Sequence, residues 1–260
     1  MMRYEYDPQL VEQATFLAAR RDPGKECVLH ETLDPLYKIV DAELRQRTFR
    51  EVHGELFRKF DLDQIVPAYV RTFRFVNERL GRCIIREAER SRAQSVDLYR
   101  QKSADSDGVG ERVLIVALCP ECLLDPDRLG PWLYRQLQHV EDMVDDGFAY
   151  ESELPDVPAV QQNLIRDRYA VLWDMIVEGR LVRSGKLPGS AVDGLWKPFS
   201  KAFTRDGRGP SRITFGEIMG ANDLTHTQLM TWAMDPGAMV EDEKGGREGR
   251  DANAGECAMA

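Results

Sequence analysis

The chain has 260 residues, of which 43% are hydrophobic and 30% charged, so it is long enough to bury a core and has an ordinary globular composition. Its formal net charge of -9 argues against non-specific binding to nucleic acids or to anionic membranes. No apolar run reaches the roughly 18 residues of a transmembrane helix, the first residues lack the apolar segment of a signal peptide, and the five cysteines are scattered, so we expect a cytoplasmic bacterial protein.

Asp-Pro pairs mark predicted helix starts, because Asp caps a helix and Pro suits the first helical position. The first helix is predicted through residues 10–21. The second is predicted after Asp34, where apolar residues recur every fourth position, at Leu36, Val40 and Leu44. The pairs used for this prediction are residues 7–8, 34–35 and 125–126, whereas the pair at 235–236 precedes no apolar-periodic segment.

Further helices are predicted over residues 48–60 and 65–80, the latter broken near Pro67. Three segments rich in β-branched residues then predict strands, which we expect to form an antiparallel meander. The order of helices, small sheet and helices predicts an α+β fold. The predicted strands cover residues 82–89, 95–101 and 112–119.

The second half of the chain predicts mainly helices. Residues 123–148 form one, opened by Pro131 and closed by Gly147, and residues 163–183 form another. Short helices and loops are predicted for residues 187–234. The polar, Gly-rich tail is predicted to be disordered.

Residues 132–146 are predicted to be amphipathic. The apolar stripe of this helix consists of Leu133, Leu137, Val140 and Val144. The opposite side carries Arg135, His139, Asp142 and Asp146. This side faces either water, with local pairs between residues one turn apart, or a second layer packed over it.

The frame R-Q-L-Q-H at residues 135–139 differs from the metallopeptidase motif H-E-x-x-H in its first two letters. That motif needs two histidines one turn apart to bind zinc and a glutamate to activate the metal-bound water. Arg135 stands at the first histidine position, and arginine stays protonated and cannot bind zinc. Gln136 stands at the glutamate position and cannot act as a base. His139 alone matches.

The segment from about residue 110 to residue 183 resembles uncharacterised bacterial zincin-like proteins. In these, a strand precedes a helix of the type H-E-L-x-H-x-x-D-M-x-D, and a later helix has the type R-D-R-Y-x-x-L-W-D-x-x-x-[DE]-G-R-L. An edge strand flanks the metal helix in zincins, and the predicted strand 112–119 directly precedes the helix here. The matching residues are His139, Asp142, Met143 and Asp145, then Arg166 to Tyr169, Leu172 to Asp174 and Glu178 to Leu181.

The resemblance implies a zincin-like α+β fold in which His139 and Glu178 lie where metal ligands lie and Arg135 occupies a ligand position. We expect an ion pair from Arg135 to Glu178 or Asp174 to replace zinc as the link between the two helices. No metal or other cofactor is expected. The implied domain ranges are an N-terminal helical region over 1–80, packed as one domain with a zincin-like region over 81–235, and a tail over 236–260.

Other candidate sites are weaker. Cys119-Pro-Glu-Cys122 has the spacing of a zinc knuckle or a redox pair, but a zinc site needs two more ligands, and we expect two small buried residues at a strand end. His226 lies in a predicted short helix that Thr225 could cap, and we expect it at the surface or in the cap. Trp173, Trp196 and Trp232 are expected in the core.

We therefore expect a catalytically inactive, zincin-like pseudo-peptidase that acts as a binding or scaffold module for an unknown protein or peptide. One alternative is a zinc-dependent hydrolase with a rearranged site of His139, Asp142 and Glu178, using Glu141 or Asp145 as the base. The other is a helical interaction protein unrelated to peptidases.

Overall fold

The computed structural model describes residues 2–101, 111–153, 157–204 and 209–239, which are called the described residues here. The chain divides into two compact units, residues 1–144 and residues 145–260. The domain ranges predicted from the sequence stay predictions. The predicted disordered tail falls largely on residues 240–260, which lie outside the described residues.

The first unit combines helices with a small sheet. Its elements are β1 (Arg3–Tyr6), α1 (Pro8–Arg21), α2 (Pro23–Leu33), α3 (Ala42–Lys59), α4 (Ile65–Val70), α5 (Arg74–Arg79), β2 (Arg82–Glu87), β3 (Ser95–Gln101), β4 (Glu111–Leu118), α6 (Pro120–Leu123) and α7 (Pro126–Val144).

The sheet of the first unit has four strands in the described residues, in the order β1-β2-β4-β3. β1 and β2 are parallel, as are β2 and β4, whereas β3 is antiparallel to β4. The α+β class is confirmed, but the predicted antiparallel meander of three strands is wrong. β1 escapes prediction because it has only four residues and pairs with a strand that follows five helices later.

The N-terminal helices begin at aspartate caps. The Asp7 side chain accepts from Gln9 N at the start of α1, which confirms the first predicted helix. Asp22, in an Asp-Pro pair that the sequence prediction did not use, caps α2 in the same way. The predicted helix running from Asp34 through Leu44 is wrong: Asp34 opens only a short 3-10 helix, and Asp41 caps α3.

Two predicted helix boundaries are displaced. Pro67 lies inside α4, and the break falls after Val70. Pro131 lies inside α7 instead of opening it, because Asp125 caps this helix by accepting from the Arg128 N–H. A proline removes only one helical hydrogen bond, which the cap and the buried stripe of α7 offset. The predicted strands and the helix at residues 48–60 are confirmed as β2, β3, β4 and α3.

The second unit is built around one long helix. α8 (Ala159–Arg183) packs against α9 (Trp196–Phe203), α10 (Arg212–Gly220) and α11 (His226–Met234), which confirms the helices predicted for this half. Gly179 makes the crossing with α10 possible, because a Cβ at this position would overlap the Met219 carbonyl oxygen.

In the part of the chain that the structure describes, every helix is too short or too polar to cross a bilayer.

Candidate functional site

The helix α7 has one fully buried side, as predicted. Leu133, Leu137, Val140 and Val144 are all buried. The opposite side is not solvated throughout: Arg135, Gln136 and His139 are half-buried, and Asp142 is only 3% exposed. The alternative of an ordinary solvated face is therefore wrong for Asp142.

A buried carboxylate needs polar partners, because desolvation of an unpaired charge is costly. Gln138 supplies one such partner, since its Nε2 lies 3.1 Å from Asp142 Oδ1, one turn away on α7. Arg135 donates from Nη1 to the Pro131 carbonyl oxygen at 3.2 Å, which holds its side chain along the helix. These two contacts order the polar side of α7 within the first unit.

Glu141 of α7 caps the helix α5. Its Oε1 accepts from Phe75 N at 2.9 Å and its Oε2 accepts from Val76 N at 2.8 Å. Burial raises the pKa of this carboxyl group, and the two backbone N–H groups pull the pKa in the opposite direction without reversing it. Both oxygens are thus bound to a helix end, which disfavours Glu141 as the base of a rearranged hydrolase.

The strand that α7 packs against is β3. β3 forms one edge of the sheet, since it pairs only with β4 among the described residues. The resemblance implies that the strand directly before the helix, residues 112–119, is an edge strand. This expectation is wrong, because that strand is β4, which lies between β2 and β3 in the sheet. Sequence order alone does not show which strand lies at the edge.

The remaining predicted site residues lie on α8 in the second unit. Glu178 is 7% exposed, whereas Asp174 is exposed to solvent. The two carboxylates therefore differ in environment although they are one turn apart. The expected ion pair from Arg135 to either of them would join the two units and stays a prediction.

Two arginines of the pattern at residues 166–181 have structural roles within the second unit. Arg168 donates to the carbonyl oxygens of Ala202 at the end of α9 and Ala233 at the end of α11. Arg180 donates to the Asn222 carbonyl oxygen beyond α10. Helix C-termini have unpaired carbonyls and attract cations, so these arginines fix α8 to its neighbours.

His226 is a residue that the sequence analysis misjudged. It is buried rather than at the surface, and its Nδ1 lies 2.7 Å from the Tyr169 hydroxyl. The His226 ring contacts the rings of Phe148 and Tyr150, and the Tyr169 ring contacts that of Trp173. Burial lowers the pKa of His226. The predicted Thr225 cap is confirmed, but the partner Tyr169 is too distant in sequence for the local pattern to indicate it.

The Cys119 and Cys122 thiols lie at the carboxyl end of β4 and are both buried. Cys119 Sγ lies 3.6 Å from the Ala88 carbonyl oxygen, and Cys122 Sγ lies 3.1 Å from Gln94 Oε1. Burial raises the pKa of Cys122, whereas a redox thiol needs a lowered one. These features favour the expected structural role.

Clusters of metal-binding side chains are absent from the described residues, since no three or more His, Cys, Asp or Glu side chains there are grouped so that they could hold a metal ion. The alternative ligand set of His139, Asp142 and Glu178 draws on both units and stays a prediction.

Comparisons of the chain with protein-family models, with curated proteins and with solved structures give no match. The zincin-like resemblance therefore depends on the residues of α7 and α8 themselves.

Proposed function

We propose that this chain is a degenerate zincin-like protein that binds a protein or peptide without hydrolysing it. The observation that carries the proposal is the burial of Asp142 and Glu178, two acidic residues that match the zincin-like patterns. Acidic side chains are rarely buried unless they are paired or bind metals. The burial of each carboxylate within its own unit argues against an ordinary solvated helix face at either position.

The chemistry at α7 supports the loss of catalysis. A guanidinium at the Arg135 position brings a fixed positive charge where a zincin-like site would hold zinc, and charge repulsion opposes metal binding. The Gln136 amide cannot take a proton from water. The neighbouring Glu141 is already bound to the N-terminal backbone of α5.

The edge strand β3 is a candidate contact site for a peptide partner. The side of β3 away from β4 has no strand partner among the described residues. An extended peptide can add to such an edge through backbone hydrogen bonds. A peptide bound there would lie beside α7, and we propose this as the contact site of the binding module.

The proposal is tested by substituting the two residues at which this chain departs from the motif H-E-x-x-H. The double substitution Arg135→His and Gln136→Glu changes R-Q-L-Q-H into H-E-L-Q-H. If the surrounding residues still form a zincin-like site, this variant gains close to one tightly bound zinc per chain, measured by mass spectrometry after dialysis. A third substitution, His139→Ala, should remove the zinc.

A matched control shows whether zinc binding needs the surroundings of α7 or only two histidines one turn apart on a helix. Glu26→His with Cys27→Glu creates the same frame, ending at His30, on a solvent-exposed part of α2. Asp34→Asn is included in this control, because the Asp34 carboxylate lies 3.6 Å from His30 Nδ1 and would otherwise offer a third ligand. We expect the restored α7 to bind zinc at least about tenfold more tightly than this control, because a third ligand adds to the affinity. Equal zinc affinity of the two variants would contradict the zincin-like proposal.

A further inference from the structure

A cavity of about 660 Å³ lies in the first unit, and its lining contains no residue of α7. One wall is formed by Tyr4 and Tyr6 of the edge strand β1, and another by Gly54, Phe57 and Arg58 of α3. Cavities of this size are typical of small-molecule sites, which combine apolar walls with a few polar groups. The cavity belongs to neither of the motifs that suggested the zincin-like function.

The walls provide a continuous aromatic and aliphatic surface. The Tyr6 and Phe57 rings meet edge to face, with centroids 5.0 Å apart. Val11 and Pro67 line the same space and are themselves buried. The Tyr6 hydroxyl donates to the Asp63 carbonyl oxygen at 2.9 Å, which fixes the ring in the wall. An apolar body would therefore meet a preformed surface and not mobile side chains.

Gly54 is an unusual residue for its position in the middle of α3. A glycine inside a helix costs about 1 kcal/mol relative to alanine. Close packing does not require it, because a Cβ built there would meet nothing within 4 Å. Since Gly54 lines the cavity, a longer side chain would extend into it. The glycine keeps this space open at the expense of helix stability.

Two cations lie at the cavity without an acidic partner. Arg58 and Arg71 both line it and are exposed, and no carboxylate of the described residues lies within ion-pair distance of either. Arg71 donates from Nη2 to Gln64 Oε1 at 3.1 Å, which leaves most of its N–H groups available. Asp63 also lines the cavity, and its Oδ2 accepts from the neutral Gln64 Nε2 at 2.7 Å, which leaves its formal negative charge in place. The two arginines outnumber this one carboxylate, so the lining keeps a formal positive charge.

We propose that this cavity binds a small carboxylic acid with an apolar body. The apolar body lies against Tyr6 and Phe57, and the carboxylate meets the guanidinium groups of Arg58 and Arg71. Arginine is well suited to this role because its planar N–H groups match a carboxylate geometrically. The two arginines without an acidic partner favour a negatively charged ligand, and the aromatic wall favours a ligand with an apolar body.

The ligand class is tested with three probes that share one body and differ in the head group: phenylbutyrate, phenylbutanol and phenylbutylamine. Binding to the full chain is measured by isothermal titration calorimetry. We expect phenylbutyrate to bind at least about tenfold more tightly than phenylbutylamine, with phenylbutanol between them. Absence of phenylbutyrate binding, or equal binding of the acid and the amine, would overturn the proposal.

Substitutions locate the site. Gly54→Leu should abolish phenylbutyrate binding by filling the cavity, whereas Gly54→Ala should retain it and leave the fold intact. Unchanged phenylbutyrate affinity in a folded Gly54→Leu variant would place the binding elsewhere and refute the inference.

The role of the two arginines is tested by a separate variant. This variant keeps the proposal testable even if Gly54→Leu fails to fold. The double substitution Arg58→Gln and Arg71→Gln should weaken phenylbutyrate at least about tenfold and leave phenylbutanol unchanged. Arg47→Gln, an exposed position on α3 outside the cavity, is the matched control and should change neither. A double variant that binds phenylbutyrate like the unmodified chain would show that the arginines do not set the ligand charge.

Discussion

The contact between Glu141 and α5 makes a quantitative prediction for the substitution Glu141→Gln. The carboxylate accepts from two backbone N–H groups, those of Phe75 and Val76. A hydrogen bond to a charged group contributes about 1.5–3 kcal/mol. Glutamine keeps one acceptor oxygen but turns its NH2 group towards the other backbone N–H, so one bond becomes a contact between two donors.

Glu141 is only half-buried, so part of this loss is offset by water and by relief of its desolvation. We expect Glu141→Gln to lower the free energy of unfolding by about 2 kcal/mol. Urea unfolding followed by circular dichroism measures this change. Hydrogen–deuterium exchange should also show faster exchange of the Phe75 and Val76 amides.

The matched control is Glu55→Gln, at an exposed position on α3. Surface substitutions of this kind change stability by no more than about 0.5 kcal/mol. If Glu141→Gln stays within that range and leaves amide exchange at α5 unchanged, the reasoning from these two hydrogen bonds is refuted.

Three further predictions concern buried groups. Burial lowers the pKa of His53, so the unfolded chain binds a proton there at a higher pH than the folded chain does, and stability should fall as the pH drops below about 6.5. Thermal unfolding at pH 7.5 and at pH 5.5 should therefore show a smaller drop in melting temperature for His53→Phe than for the unmodified chain. Gly179→Ala should destabilise the second unit by about 1–3 kcal/mol, because its Cβ would overlap the Met219 carbonyl oxygen, whereas Gly194→Ala, which meets nothing, should have little effect in the same urea titration. Tyr4→Phe should leave stability unchanged or raise it by about 1 kcal/mol in urea unfolding, because the Tyr4 hydroxyl is buried without a hydrogen-bond partner among the described residues; a clear loss would show that the hydroxyl has a partner.

Local sequence signals predicted the helices best. Asp7 and Asp125 mark true helix starts because a cap acts within a few residues of itself. The apolar stripe of α7 is buried for the same reason, since helical periodicity is a local property. The break at Asp41 was not predicted, because Val40 continues the apolar spacing although it is 94% exposed.

Features that depend on distant pairing could not be predicted in this way. The parallel pairing of β1 with β2 joins residues such as Tyr4 and Cys83. The Tyr169–His226 contact likewise joins two helices of the second unit. The cavity beside β1 also needs the assembled fold, because its lining combines residues of β1, α3 and α4.

We propose that Arg135 stands where a metal ion would be bound, and the first measurement is therefore the metal content of the chain. The chain is expressed with zinc present and without a histidine tag, and its metals are measured by mass spectrometry. We expect no stoichiometric metal. Close to one zinc per chain, lost on the substitution His139→Ala, would refute this proposal and would favour a zinc-dependent hydrolase.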